Sequence, residues 1–160
     1  MKTINLDYAA AAPVGEAVLE KMLPYFTSIY GNPSSGHTLG EAPRRAIAEA
    51  REQVGLLINA EARDIIFTAS ASEANNLALK GLITAGKVKG NHIISSAVEH
   101  FSILNQLKTL KKQGFEVTLL PVDQHGLVTP EQLRQAITDQ TILITIQAAN
   151  PEIGTVQPIA

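Results

Sequence analysis

The segment 65-IIFTASASEANNLALKG-81 decides the fold, because a strand-like pattern changes to a helical pattern within it. The apolar run at 65–67 is typical of a buried strand. The residues after Ser70 have the pattern of a helix that carries Leu77 and Leu79. The sequence therefore predicts a strand that turns directly into a helix, with small residues crowded at the junction.

Helix-like and strand-like segments alternate along the rest of the chain. Predicted helices cover residues 16–26, 41–58, 72–86, 102–114 and 129–138, and predicted strands cover residues 64–70, 92–97, 116–122 and 141–150. Strands that alternate with helices in this way build parallel sheets with helices on both faces. The predicted fold class is α/β, a three-layer α/β/α arrangement with a mostly parallel sheet.

Local signals mark several of the predicted ends. Thr129 is a good N-cap residue, and Pro130 suits the first turn of the helix that follows. Gly114 stands after a lysine-rich last turn, where a helix often ends on a left-handed residue. Residues 123–126, DQHG, predict a turn before the last helix.

The composition limits the classes of function. The chain has 160 residues, of which 45% are hydrophobic and 18% charged, as expected for one globular domain with a core. The formal net charge is -2 and the basic residues form no stripe, so a nucleic-acid partner is not expected. The start lacks the apolar core of a secretory signal, and no apolar stretch approaches the roughly 20 residues that span a bilayer. We therefore expect a cytoplasmic protein without membrane contact.

The sequence contains no cysteine. Disulfides, thiolate metal sites and a cysteine nucleophile are therefore excluded within these residues, and no metal site is expected. The two standard nucleotide-binding loops, G-x-G-x-x-G and G-K-[ST], are absent from the sequence as well.

The start of the helix after Ser70 has two interpretations. Ser70 and Glu73 have the spacing of a capping box, in which each side chain satisfies a backbone N–H of the first turn. The same helix start would also offer N–H groups and the positive end of the helix dipole to a phosphate. It lies at the predicted carboxyl edge of the sheet, where ligands of open α/β folds bind. On these residues alone the plain cap is favoured.

Two further polar residues are expected at the same edge of the sheet. His100 follows the predicted strand 92–97 and is either a surface or capping residue or a flat ring that stacks on a heterocyclic cofactor. Asn150 ends the predicted strand 141–150 and either bonds a ligand oxygen or forms the turn before Pro151. The local pattern leaves both pairs of alternatives open.

Five blocks of the sequence together resemble a known family. They are residues 4–14 (INLDYAAAAPV), 31–54 (GNPSSGHTLGEAPRRAIAEAREQV), 65–81, 92–100 (HIISSAVEH) and 141–159 (TILITIQAANPEIGTVQPI). In this order they look like the amino-terminal part of class V aminotransferase-fold enzymes, and most of all like cysteine desulfurases of the NifS and IscS type. The resemblance extends over essentially the whole chain.

The resemblance implies the first half of the large domain of a fold-type I enzyme that depends on pyridoxal 5'-phosphate. It implies an amino-terminal arm or small-domain segment, residues 1–15, and a partial cofactor-binding large domain, residues 16–160. Such enzymes take sulfur from L-cysteine, release L-alanine and work as homodimers. They pass the sulfur to an acceptor or scaffold protein for iron–sulfur cluster or thio-cofactor assembly.

The same resemblance implies roles for three residues. The backbone N–H groups of Ala71 and Ser72, together with the Ser72 hydroxyl, would bind the phosphate of the cofactor. His100 would stack on the cofactor ring and move protons as a catalytic residue. The junction between the first predicted strand and the helix that follows it is therefore expected to bind the cofactor's phosphate.

The sequence departs from the family pattern at two places. The last block of the family reads Asn-Asn-Glu-hydrophobic-Gly, and its second Asn bonds the 3' oxygen of the cofactor ring. Pro151 stands at that position and has no donor, so Asn150 would replace it as a cofactor ligand only if the loop rearranges. Ser70 and Ser72 stand where the family usually has Gly and Thr, and a β-carbon at residue 70 would crowd the turn if it needs a glycine conformation.

In the family, the aspartate that pairs with the pyridine nitrogen, the Schiff-base lysine and the persulfide-forming cysteine lie further along the chain. None has a counterpart here, so we expect the isolated chain to be inactive without a carboxyl-terminal half, supplied in trans if the gene is split. A fragment, a split-gene half and a degenerate remnant all fit this pattern. The other classes of function are a noncatalytic binding or dimerisation module and a generic nucleotide-binding domain, and the missing glycine fingerprint argues against the latter.

Overall fold

The computed structural model describes residues 4–85 and 89–159 and divides into two compact units, Met1–Phe67 and Thr68–Ala160. The described helices are α1 (Glu16–Thr27), α2 (Thr38–Ile58), α3 (Ala71–Thr84), α4 (Phe101–Lys112) and α5 (Pro130–Ala136), and the described strands are β1 (His92–Ser96), β2 (Glu116–Leu120) and β3 (Thr141–Thr145). This succession confirms the predicted α/β class. The predicted boundary after residue 15 concerns the domains of a complete enzyme and stays a prediction. In the described ranges, no helix has the length and apolar character needed to cross a membrane.

In the first unit, α2 packs against a short 3₁₀ helix, Ala62–Asp64. The helix α2 ends at Asn59, whose left-handed backbone (φ 55°) is typical of a helix C-terminus. The chain then turns so closely that a Cβ on the buried Gly55 would meet the carbonyl oxygen of Ala60 at 2.6 Å. Glycine is therefore required at this position. By contrast, α1 buries none of its residues.

The predicted strand at 64–70 is wrong. Asp64 ends the 3₁₀ helix, and residues 65–68 belong to no strand. Ile65 donates its N–H to the carbonyl of Ala62, and its own carbonyl accepts a hydrogen bond from the Arg51 side chain. The backbone of Ile65 is extended, as the apolar run suggested. A strand also needs a hydrogen-bonded neighbour, however, and none of the described strands pairs with these residues.

The second unit contains a three-stranded parallel sheet in the order β2-β1-β3. In the central strand, Ile94 is aligned with Thr118 of β2 and with Ile144 of β3. The connection from β1 to β2 includes α4, and the connection from β2 to β3 includes α5, because parallel neighbours need a long crossover. The predicted parallel sheet is confirmed.

Consecutive residues of β1 belong to two separate cores, which confirms the three-layer prediction. Ile93 packs with Leu79 of α3 and Leu107 of α4, whereas Ile94 belongs to a cluster that packs with Leu133 of α5. Both isoleucines are completely buried. Because successive side chains of a strand point to opposite faces, α3 and α4 cover one face of the sheet and α5 covers the other.

Two predicted helix ends are confirmed by their caps. Thr129 caps α5 through a complete capping box with Gln132, and Pro130 lies in the first turn. Gly114 follows α4 with a φ of 96°, in the region that favours glycine. The predicted end of the third helix at Gly86 lies outside the described residues.

The predicted turn at residues 123–126 is also confirmed. The carboxylate of Asp123 accepts hydrogen bonds from the backbone N–H groups of Leu127 at 2.9 Å and His125 at 2.8 Å. The bond from Leu127 is the main cause that holds the pKa of Asp123 below its usual range. Gly126 closes the turn with a φ of 79°, and a Cβ there would clash with the Ile153 side chain.

The strand β3 is shorter than predicted, since it ends at Thr145 rather than at residue 150. The backbone N–H of Gln147 donates to the carboxylate of Glu99 at 2.7 Å instead of to a neighbouring strand. Side-chain hydrogen bonding to the loop after β1 therefore ends the ladder early and brings the two loops together.

Candidate functional site

The start of α3 leaves three backbone donors without an acceptor among the described residues, the N–H groups of Ser70, Ala71 and Ser72. The hydroxyl of Ser70, the N-cap, accepts from the N–H of Glu73 at 3.2 Å. The Glu73 carboxylate accepts from the N–H of Ala69 at 2.7 Å rather than from that of Ser70, so the predicted capping box is only half formed. Within the described residues, no acceptor is bonded to the N–H groups of Ala71 and Ser72. Both residues are exposed, so these N–H groups and the positive helix end are open to solvent.

The start of α4, in contrast, is capped by His100, although the N–H of Phe101 has no acceptor among the described residues. His100 is the N-cap, and its Nδ1 accepts from the backbone N–H of Ser102 at 3.1 Å and lies 2.8 Å from the Ser102 hydroxyl. An N–H group can only donate, so Nδ1 carries no proton and the neutral ring carries its hydrogen on Nε2. The ring is exposed beside Phe101, with the ring centroids 6.4 Å apart and a tilt of 59°. His100 is thus a capping residue whose ring remains accessible.

A hydrogen bond joins the two helix starts. The Nδ2 atom of Asn75 donates to the Oγ atom of Ser102 at 2.8 Å. Asn75 lies in the second turn of α3, and Ser102 lies in the first turn of α4, directly after the loop that leaves β1. The first turns of α3 and the His100 side chain therefore lie side by side at the carboxyl edge of the sheet, where chain order predicted them.

A buried carboxylate locks the loops that follow β1 and β3. Glu99 is 7% exposed, and its Oε1 accepts from the Ser96 hydroxyl at 2.9 Å and from the backbone N–H of Gln147 at 2.7 Å. The Gln147 side-chain amide donates in turn to the carbonyl of Val98 at 2.6 Å. Since His100 directly follows Glu99, these bonds hold the histidine in a fixed place relative to the end of β3.

Asn150 belongs to the same set of loop contacts. It is 8% exposed, and its Nδ2 donates to the carbonyl of Val98 at 3.0 Å. Its Oδ1 accepts from the N–H groups of Glu152 at 2.8 Å and Ile153 at 3.2 Å, which closes a turn around Pro151. Asn150 is therefore a turn-forming residue, and its second Nδ2 hydrogen is the donor left for a ligand. That it binds a cofactor stays a prediction.

Sequence reasoning identified the polar residues at this edge but missed the residues that hold them. Those are Asn75, Ser102, Glu99 and Gln147. No periodic pattern marks the first two, because they meet through a bond between residues 27 positions apart. Glu99 did offer a signal, since an acidic residue three positions after a buried strand needs hydrogen-bond partners if it is buried as well.

The sequence matches the family model described as Aminotransferase class-V over residues 4–160. Cysteine desulfurase IscS of Clostridium botulinum (strain Kyoto / Type A2) is 48% identical over 158 residues, which cover 99% of this chain and 40% of the relative. Cysteine desulfurase IscS 1 of Archaeoglobus fulgidus is 50% identical over 153 residues, which cover 96% of this chain and 40% of the relative. The chain thus spans about 40% of the length of these curated relatives.

Solved structures show the same fold. The structure of SspA in complex with cysteine superimposes with a TM-score of 0.92 at 43% identity, covering 98% of this chain and 45% of that one. A NifS-like protein superimposes with a TM-score of 0.91 at 36% identity, covering 95% of this chain and 42% of that one. Both likenesses extend over nearly all of this chain.

Proposed function

This chain belongs to the aminotransferase class-V family, and on this premise we propose that it forms part of a cysteine desulfurase that depends on pyridoxal 5'-phosphate. The resemblance seen in the sequence is confirmed, since the curated relatives are named cysteine desulfurases and one similar solved structure contains cysteine. In this chain, the supporting observation is that the open N–H groups at the start of α3 and an accessible imidazole lie at one edge of the sheet.

The start of α3 fits the phosphate of the cofactor. The N–H groups of Ala71 and Ser72 have no acceptor among the described residues, and the Ser72 hydroxyl stands beside them. Hydrogen bonds from such groups to an anion are stronger than those between neutral groups. The Glu73 carboxylate turns back to the N–H of Ala69 and does not occupy these donors. In the proposed enzyme, Ala71 and Ser72 bind and orient the cofactor through its phosphate.

His100 suits the ring of the cofactor. Its imidazole is exposed, and its capping bond fixes the ring through Nδ1 and leaves Nε2 open to a ligand. A flat neutral ring stacks on a pyridine ring, and an accessible Nε2–H donates or takes back a proton during the reaction. When bound, pyridoxal phosphate supplies an electron sink for negative charge at the substrate's Cα. Asn150 would add a contact only through its second Nδ2 hydrogen, unless the turn around Pro151 opens.

The proposed reaction breaks the C–S bond of L-cysteine. The sulfur passes to an enzyme thiol, which becomes a persulfide. Of the two thiol hydrogens, one ends on Cβ of the released L-alanine and the other stays on the persulfide. Since this chain contains no cysteine, that thiol must lie outside these 160 residues, as would the lysine that holds the cofactor. A downstream acceptor or scaffold protein would take the sulfur for iron–sulfur cluster or thio-cofactor assembly, in the cytoplasm as expected from the sequence.

The proposed enzyme is a homodimer, and exposed apolar residues in the first unit support association. Leu56 and Leu57 of α2 are 83% and 84% exposed, and α1 exposes Phe26 to 69%. In the proposed enzyme the rest of the protein or the second subunit would cover such residues, so the isolated chain should associate through them. We expect light scattering to show that the purified chain associates. A monomer with one cooperative melting transition would argue for a self-sufficient binding module instead.

The direct test mixes the 160-residue chain with pyridoxal phosphate and L-cysteine, with and without a second chain that carries the remaining length of the Clostridium botulinum relative. We expect no protein-dependent alanine or sulfide from the chain alone and clear production of both from the mixture or from a covalent fusion. Free cofactor with cysteine serves as the background control. Turnover by the 160-residue chain alone would contradict the partial-enzyme proposal.

The second candidate is a noncatalytic binding or dimerisation module, or a degenerate remnant of the family. It is favoured by Pro151, which has no N–H donor at the position where the family pattern has an Asn. If neither the mixture nor the fusion binds the cofactor while both remain folded, this candidate replaces the enzyme.

A further inference from the structure

We propose that Asn75 and Ser102 are positioning residues that hold His100 in its Nε2–H tautomer and fix the ring beside the start of α3. The chain of contacts runs from Asn75 Nδ2 to Ser102 Oγ at 2.8 Å and from Ser102 Oγ to His100 Nδ1 at 2.8 Å. The role of these contacts in catalysis rests on the proposed function. The hydrogen bonds and the tautomer that they favour do not depend on it.

The direction of each hydrogen bond follows from the donor chemistry. The Asn75 Nδ2 group can only donate, so Ser102 Oγ uses a lone pair to accept from it. The hydroxyl hydrogen of Ser102 is then free to point at His100 Nδ1. The backbone N–H of Ser102 points at the same nitrogen at 3.1 Å. Both groups from Ser102 donate, and both therefore favour a ring without a proton on Nδ1.

Burial of the ring does not explain why the Nε2–H tautomer is favoured, because His100 is exposed. In water the proton of a neutral imidazole moves between the two nitrogens, and the partner of one nitrogen decides which tautomer dominates. Asn75 and Ser102 are both half-buried between α3 and α4, which pack against one another. The partners of Nδ1 are thus held by the packed helices, while the Nε2 side of the ring is left to a ligand.

The consequence is a link between two predicted cofactor contacts. Asn75 lies one turn after Ala71 and Ser72 on α3, whereas His100 and Ser102 begin α4. A cofactor held by its phosphate at α3 would meet a ring whose orientation is set from that same helix. Positioning of this kind acts through His100, so neither Asn75 nor Ser102 needs to touch the substrate.

The test reads the tautomer of His100 directly by 15N NMR of the full chain at a pH where the ring is neutral. Wild type should show Nε2 protonated and Nδ1 unprotonated. Asn75→Asp replaces the donor by an acceptor, so the Ser102 hydroxyl turns toward the carboxylate and leaves a lone pair for an Nδ1–H. We expect the ratio of Nδ1–H to Nε2–H to rise by about 2- to 10-fold, the effect of roughly one hydrogen bond.

Ser102→Ala and Ser102→Thr form the matched pair. Alanine removes the hydroxyl and should raise the Nδ1–H share, whereas threonine keeps the hydroxyl and should retain the wild-type ratio. Asn105→Ala, an exposed change one turn further along α4, is the control for general effects on the helix, and circular dichroism verifies that each variant is folded.

An unchanged tautomer ratio in folded Asn75→Asp and Ser102→Ala variants would overturn the proposal. A mainly Nδ1-protonated ring in the wild type would overturn it as well. Failure of the proposed function has a different signature, because the wild-type chain would then keep its Nε2–H tautomer while the assembled protein produced no alanine from cysteine.

Discussion

The starts of α3 and α4 lie side by side at one edge of the sheet, yet they offer different groups to a ligand. At α3, the side chains of Ser70 and Glu73 accept from the N–H groups of Glu73 and Ala69, while the N–H groups of Ser70, Ala71 and Ser72 have no acceptor among the described residues. At α4, the His100 ring accepts from the N–H of Ser102, which has the same place in its helix as Ser72 in α3, and the N–H of Phe101 has no acceptor among the described residues. Both helix ends carry the same positive dipole, so the dipole alone does not make a binding site. The difference lies in which N–H groups already have an acceptor.

The largest effect on turnover should come from replacing His100, the N-cap of α4. Replacing His100 by Asn removes the ring but keeps a good capping residue, so the fold is preserved. In the assembled protein we expect alanine production from cysteine to fall by about 100- to 10,000-fold, the usual contribution of a positioned proton-transfer group. Steady-state turnover measures this loss.

The matched variant is His100→Ala, which removes both the ring and the cap. It should show the same loss of turnover and, in addition, a loss of about 1 kcal/mol in the free energy of unfolding. Unchanged turnover in the folded Asn variant would show that His100 is a cap and nothing more.

The next effect should come from the open helix start. Ala71→Pro removes one of the open N–H groups, and proline is well tolerated at the first position of a helix. The extended backbone of Ser70 (φ -159°, ψ 159°) suits a residue that precedes proline. Since a hydrogen bond to a charged group contributes about 1.5–3 kcal/mol, pyridoxal phosphate should bind the assembled protein about 10- to 100-fold more weakly.

Ala71→Gly keeps the N–H group and is the control for this change. Cofactor affinity, measured by titration, should separate the two variants clearly. Equal affinities for the Pro and Gly variants would mean that the N–H of residue 71 does not contact the phosphate.

A smaller gain is expected from the loop after β3, which meets the same edge. Pro151→Asn restores a donor where the family pattern has one, and Asn150 already supplies the turn around it. One neutral hydrogen bond contributes about 0.5–1.5 kcal/mol, so cofactor affinity should rise about 2- to 10-fold. Unchanged affinity with the fold intact would show that residue 151 takes no part in binding, and a fall would show that an asparagine there disturbs the site.

The smallest effect concerns the charge beside the open helix start. Glu73→Gln keeps an oxygen that accepts from the N–H of Ala69 but removes a negative charge next to Ser72. An exposed charge contributes about 0.2–1 kcal/mol, so inorganic phosphate should bind up to about fivefold more tightly. The gain should shrink at high salt because solvent ions screen it. Weaker binding, or a gain that salt does not change, would contradict this account.

The sequence predicted the elements of the second unit well because their signals are local. The capping residue Thr129 and the left-handed Gly114 mark helix ends without reference to any distant residue. The strand predicted at 64–70 failed for the opposite reason. Its apolar run indicates extended backbone, but strand pairing depends on a second segment that no local pattern reveals.

The same distinction applies to the site. Ser70 was identified as a cap from its spacing to Glu73, yet the carboxylate bonds Ala69, a choice that depends on local geometry rather than on spacing. The bond between Asn75 and Ser102 joins two helices and leaves no trace in either helix's own pattern. The edge positions of His100 and Asn150 are thus readable from chain order, because the existence of the strands before them was predicted correctly, whereas side-chain partners across elements are not.

The most direct measurement of the central claim is a titration of the 15N-labelled chain with inorganic phosphate, followed through its backbone amide signals. If the open start of α3 is the anion site, the largest saturable shifts will fall on Ala71 and Ser72, and the amide of Ser102, already bonded to His100, will move little. Saturable shifts centred at the start of α4, or elsewhere with Ala71 and Ser72 unmoved, would contradict it.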